Sequence, residues 1–298
     1  MKKTLLMCVC FAVLPVLAIY QQPNPERKLD FPLDVASFNY PSMTVVDVFG
    51  YSGVIEEGTN SVDIWEFGGA YPYDATNTAP IAYISSSSTN NAQPVKIDGL
   101  DSNGWSVVQT VTLNGQNNVA LTTPLWRVFC VENVAGEDDG GNFAGTVYVH
   151  TNATVTAGVP PDASVRAIVV DGNNRSLIAN YTIPRGKVGF LYFGEVAIQY
   201  VGLSSASVGI AHVHYESRRY GKVFTIKKSV TVISTGTGVY QTQRTFPDII
   251  PALTDIRIQC EEANEDMGLS AAMVFLLVDE DQFPPSLLET IGQPFAGQ

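Results

Sequence analysis

Basic residues are scarce in this chain. Lysine and arginine number 17 against 29 aspartates and glutamates, which leaves a formal net charge of −12 and a pI of about 4.6. Nucleic-acid affinity rests on cations that displace counterions from phosphates, so a surface this acidic is expected to bind no nucleic acid. Histidine is scarcer still, with three residues, which leaves little imidazole for a metal site. Cysteine is limited to four positions. Cys8 and Cys10 lie in an apolar N-terminal run, while Cys130 and Cys260 fall in strand-like runs and are expected to be free, buried thiols rather than a pair. No stretch carries sustained helical periodicity, which argues against bundles and α/β folds. There is no Gly-x-Ser-x-Gly elbow, no His-Glu-x-x-His and no phosphate-binding glycine loop. The expectation is a protein without enzymatic activity and without a cofactor.

What the chain does have is strand after strand. Around Asn103-Gly104 and Asn114-Gly115, dipeptides suited to type I′ hairpin turns, short β-prone runs alternate. Trp105, Val107, Val111 and Leu113 fall on one face at period two, with Ser106, Thr110 and Thr112 on the other. Further strands are expected near 44–49, 81–85, 95–101, 118–122, 125–134 and 145–150. In the second half they are expected near 166–170, 176–183, 188–193, 195–201, 207–216, 222–234, 254–261 and 272–279. The fold class is therefore all-β, read as two antiparallel β-sandwich domains of jelly-roll type. Residues 42–150 form the expected first sandwich, 151–164 a Gly/Pro-marked linker, and 165–281 the second sandwich. Residues 19–41 read as an extended Pro-rich arm, and 282–298 as a short C-terminal tail.

Residues 1–18 join a basic start, Met1-Lys2-Lys3, to an apolar run too short to span a bilayer comfortably. Val16 and Ala18 suit a signal-peptidase site, so this segment reads either as a cleaved signal or as a retained anchor. Membrane association is expected only if it is retained.

Three clusters could carry chemistry. His212 and His214 share one strand face and could ligate Zn²⁺ or Cu²⁺, but such sites need three or four ligands and the third histidine is His150. Glu137, Asp138 and Asp139 sit in a Gly-flanked loop and offer hard oxygens for Ca²⁺ without the alternating spacing of an EF-hand. Solvated histidines and an exposed acidic loop are the simpler readings, so no metal is expected. Trp65, Tyr71 and Tyr73, with Gly68-Gly69 between them, could form a stacking surface for a sugar, or could pack a sandwich core.

The wording of the strands carries a resemblance. Gly99–Gly115, reading GLDSNGWSVVQTVTLNG, with WRVFCVENVAG and GGNFAGTVYV after it, resembles virion structural proteins of tailed, often marine, bacteriophages. The similarity continues in ANYTIPRGKVGFLYFGEVAI, YGKVFTIKKSVTV, FPDIIPALTDIRIQC and VFLLVDED, and so spans residues 49–281. It implies a structural component of a virion, a capsid decoration or cement protein or another head- or tail-associated protein. Expected partners are further copies of itself, a trimer in the simplest case, and other virion proteins such as the major capsid protein. The alternative is an exported carbohydrate-binding or adhesin-like β-sandwich, secreted or periplasmic, with residues 1–18 removed.

Overall fold

A computed structural model describes residues 40–58, 60–74, 78–135, 141–200, 208–234 and 237–284. The expected arm, the apolar segment, Glu137, Asp138, Asp139 and most of the tail lie outside these residues.

The described chain is all-β and antiparallel. Its strands are β1 (Met43–Ile55), β2 (Asn60–Asp63), β3 (Ile81–Ser86), β4 (Pro94–Asp101), β5 (Ser106–Thr112), β6 (Val119–Asn133), β7 (Val147–His150) and β8 (Val165–Val169). They continue as β9 (Asn180–Thr182), β10 (Lys187–Tyr200), β11 (Gly209–Arg219), β12 (Thr225–Ser234), β13 (Thr237–Ile250), β14 (Thr254–Ala263) and β15 (Met267–Asp279). Among the described residues the helical content is two short 3-10 turns, Asp162–Ser164 and Glu280–Gln282.

Three sheets form. One runs β1-β15-β10-β13; a second runs β12-β11-β14-β2 with β9 also on β14; the third runs β5-β4-β6-β3-β7-β8. The first two enclose a common core: Met273, Phe275 and Leu277 of β15 and Leu191, Val196 and Ile198 of β10 meet Val213 of β11 and Ile256 and Ile258 of β14. Period-two burial in β15 (269, 271, 273, 275 and 277 buried) is what turns this strand's odd positions inward. The third sheet has its own core, built on Ile84, Ile97, Leu125, Val131, Val149 and Val165, and closed by Trp65 and Tyr71.

Sheet membership does not follow the expected domain limits. β1 pairs along its length with β15, from Met43 opposite Val278 to Ile55 opposite Met267, and β2 pairs with β14. Residues 43–63 thus hydrogen-bond to strands of the second half, and β8, expected in that half, pairs with β7. Gly50 lets the chain at Ile64 and Ala179 pack directly against β1. A Cβ there would lie 2.2 Å from the Ala179 backbone nitrogen and 2.6 Å from the Ile64 oxygen.

Two expected strand pairs merge. Residues 118–122 and 125–134 are one strand, β6; residues 188–193 and 195–201 are one strand, β10, whose register with both neighbours jumps between Leu191 and Phe193. The Asn-Gly turns also differ from expectation. Type I′ needs positive φ at both central residues, whereas only Gly104 (φ 84°) and Gly115 (φ 53°) have it. Asp101 supplies the reason at the first turn: its Oδ1 accepts from the amides of Asn103 (2.8 Å) and Trp105 (2.9 Å).

Candidate functional site

The densest chemistry lies where β6 of the third sheet meets the outward face of β11 and β14. Along β14, Ile256, Ile258 and Cys260 point into the sandwich core, so Asp255, Arg257 and Gln259 share the opposite face. That face is buried by the segment from Trp65 to Asp74 and by β6.

Asp255 is the hub. Arg127 donates to it through Nε and Nη2, both at 3.0 Å, in a two-pronged pair. Arg218 Nε donates at 2.8 Å and Thr182 Oγ1 at 2.5 Å. Burial pushes the Asp255 carboxyl upward, but Arg127, Thr182 and Arg218 together outweigh it and hold the group below the usual carboxylate range. A second hub joins Arg257 to Glu216 (2.7 Å) and to Asp63 (3.2 Å). Asp63 Oδ2 also accepts from the Tyr71 amide at 2.7 Å. Here burial wins over Arg257, and the Asp63 carboxyl is pushed up to about 6.

Aromatic rings interleave with the guanidiniums. Arg127 lies over Trp126 (4.1 Å) and Tyr73 (5.4 Å); Arg218 lies over Tyr73 (4.9 Å) and Phe224 (4.6 Å); Arg257 lies over Phe224 (4.0 Å). The order Trp126, Arg127, Tyr73, Arg218, Phe224, Arg257 is an alternating cation–ring stack. Trp65, Tyr71 and Tyr73 continue it edge to face at 4.9 and 4.7 Å.

The three aromatics singled out in the sequence are therefore together, but their faces are occupied by protein. Trp65 is 2 % exposed and Tyr71 6 %, and burial pushes the Tyr71 hydroxyl up to about 12. A sugar-stacking platform needs an open ring face, which Trp65 and Tyr71 lack. The network is an ionic and aromatic joint between two sheets: it fixes their mutual placement and leaves Asp63 without access to an external substrate.

The other sequence candidates lie elsewhere. His212 and His214 lie on β11; His212 Nδ1 is 2.9 Å from Thr231 Oγ1 and His214 Nδ1 is 3.9 Å from Glu216 Oε1. His150 is fully buried in the third sheet, with Nε2 3.1 Å from Ser85 Oγ. Among the described residues no group of three histidine, cysteine or carboxylate side chains is placed to hold a metal ion. Cys130 and Cys260 are free thiols; Cys260 is buried as expected, whereas Cys130 is only half-buried, and burial raises both, to about 11 for Cys260.

Two surfaces are apolar. On the sandwich's open side, β12 and β13 each end a sheet, pairing only with β11 and β10 among the described strands. Ile226 (56 % exposed), Ile233 (61 %) and Val239 (56 %) stand there in solvent. On the outward face of the first sheet, Val45, Leu276, Phe190 and Ile249 lie directly opposite one another across all four strands. Phe49, Ala272, Val274 and Phe193 extend that patch, with Asp47 set among them opposite Val274.

No protein-family model matches the chain, and no curated protein matches it. Among solved structures it is similar to that of the infectious bursal disease virus Gx strain, at 12% identity and a TM-score of 0.22, covering 81% of this chain and 74% of that one. It is also similar to the VP2 subviral particle of infectious bursal disease virus, at 10% identity and a TM-score of 0.20, covering 83% and 74%. Likenesses this slight carry no argument for fold or function.

Proposed function

We propose that this chain is a non-enzymatic structural subunit of a tailed-phage virion, a decoration or cement protein or another head- or tail-associated component. The observation that carries the reading is the open side of the sandwich. Strands of ten and fourteen residues, β12 and β13, end two stacked sheets with no further strand partner among the described residues, and Ile226, Ile233 and Val239 are exposed on them. A long unpaired edge with large apolar side chains is a template for another chain, and proteins that stay solitary blunt such edges. Lys227 and Lys228 interrupt β12, which disfavours indiscriminate pairing while leaving both ends apolar. The strand wording that resembles tailed-phage virion proteins points the same way.

On this reading the subunit works by burying its edges against copies of itself in a closed ring, a trimer in the simplest case, and against other virion proteins such as the major capsid protein. The purified protein is expected to sediment as a multimer and to be recovered from purified particles. A monomer at tens of micromolar that is missing from particles would contradict the proposal.

A further inference from the structure

Trp105 shares a sequence face with Val111 and Leu113, yet it is 52 % exposed while those two are buried. Its place is nonetheless fixed. The Asp101 amide donates to Trp105 O at 2.9 Å, and the Trp105 amide donates back to Asp101 Oδ1 at 2.9 Å. The indole abuts Gly186, where a Cβ would lie 3.0 Å from Trp105 Cζ3 and 3.4 Å from Cη2. Three loops are knotted behind it. Arg185, in the turn before β10, donates through its amide to Gly104 O (2.8 Å) and through Nε to Asn103 O (2.5 Å). Leu253, between β13 and β14, fills the space that Gly104 leaves: a Cβ on Gly104 would lie 2.3 Å from Leu253 Cδ2. Leu253 also donates to Ile183 O (2.8 Å) and accepts from the Tyr220 amide (3.1 Å). It does so at φ 56°, a left-handed conformation that bulky residues rarely adopt and that clusters at binding sites. Tyr220, at the tip of the β11–β12 hairpin, is 49 % exposed and meets Trp126 edge to face at 5.3 Å. Two half-open aromatic rings on separate loops thus flank one strained residue.

We propose that Trp105 and Tyr220 are stacking platforms for a neutral glycan chain. A pyranose ring presents C–H groups of slight positive charge, which suit the negative face of an aromatic ring. Its hydroxyls need donors and acceptors at the margin of that ring, and Arg185 and Asn103 stand beside Trp105 to provide them. Charges of both signs surround the indole: Arg185 and Lys187 are matched by Asp101, by Asp279 paired with Lys187, and by Glu280, whose amide donates to Gly186 O. No net local charge therefore selects an anionic or a cationic ligand. Loops tied to one another hold the platforms in place before any ligand arrives, so little ordering entropy is lost on binding. The rings have the open surface that Trp65 and Tyr71 lack, and the inference does not depend on the chain's being a virion component.

Trp65 and Trp126 are 2 % and 4 % exposed, so quenching of tryptophan fluorescence by acrylamide reports on Trp105. The test follows this quenching in the full chain as dextran, hydroxyethylcellulose or galactomannan is added, with alginate as the anionic comparison. At least one neutral polysaccharide is expected to shield Trp105 and lower the quenching several-fold, and alginate is expected to leave it unchanged. Affinity electrophoresis through the shielding polysaccharide then compares variants. Trp105→Ala is expected to bind about tenfold more weakly or worse, and Trp105→Phe, which keeps a ring, to bind between the two. Unchanged melting of both variants shows that the fold is intact. Shielding by none of the neutral polysaccharides would overturn the proposal, as would equal retardation of Trp105→Ala and the unaltered chain. Shielding by alginate alone would overturn it in favour of a charge-driven contact.

Discussion

Asp255 sits between two guanidiniums, and its removal strands both. Asp255→Asn deletes the charge that pairs with Arg127 and Arg218 while nearly preserving shape. Breaking a buried pair in this way costs about 3–5 kcal/mol. A fall of that size in denaturant-derived stability, with the strand signal in circular dichroism unchanged, is the expected outcome. Two other buried groups oppose one another in acid. Asp63 is raised to about 6 from an ordinary 3.8, so its folded form favours the proton. Its contribution to stability is full below about 3.8 and is lost as pH rises through 6. His150 is lowered by burial to about 4 from 6.5, so its contribution is full above 6.5 and is lost as pH falls toward 4. Each shift corresponds to about 3 kcal/mol. Between pH 6.5 and 4 the two therefore nearly cancel, and single variants separate them. Asp63→Asn is expected to leave a chain that loses stability on acidification, and His150→Gln one that gains it. Chemical denaturation of both variants at pH 4 and pH 7 reads the two slopes.

At the scale of elements, the strands were legible and their partners were not. Period-two alternation located β4 and β5 to within a residue or two, because each buries one face, whereas β8 and β14, buried on both faces, stood out as apolar β-prone runs between turn residues. β13 was missed: it is an edge strand that mixes polar residues with Val239 and Ile249 and contains Pro247, and proline counts against a strand everywhere except at an edge. β2, at four residues, carries too little pattern to see. The pairing of β1 with β15 joins opposite ends of the chain and leaves no local trace, so the expected domain limits cut across the sheets. The joint was half legible. Trp65, Tyr71 and Tyr73 drew attention as a cluster, but Arg127, Arg218, Asp255 and Arg257 come from three distant strands. The alternation Asp255, Arg257, Gln259 along β14 was the available signal, and in isolation it reads as a solvated face. Gly50 shows how closely β1 is held. Gly50→Ala drives a methyl into the backbone of Ala179 and Ile64 and is expected to cost about 1–3 kcal/mol or more by thermal or urea unfolding.

Across the whole molecule, acidity and apolar edges divide the labour. On the proposed reading, a net charge of −12 holds subunits apart until specific surfaces meet, and the edges supply those surfaces. Ile226→Lys with Ile233→Lys places charge where β12 would be buried, and each lost isoleucine is worth about 1.5–3 kcal/mol of association. The double variant is therefore expected to weaken self-association at least about a hundredfold, since every 1.4 kcal/mol is roughly tenfold. Sedimentation over a concentration series checks this, with unchanged melting of the protomer as the control. The role proposed for this chain is to build particles, not to act on a substrate. Quantitative mass spectrometry of purified virions is the decisive measurement. Peptides from β6, β10 and β15 are expected at a fixed stoichiometry to the major capsid protein. Recovery only from the surrounding medium or periplasm, with no such peptides in particles, would contradict it.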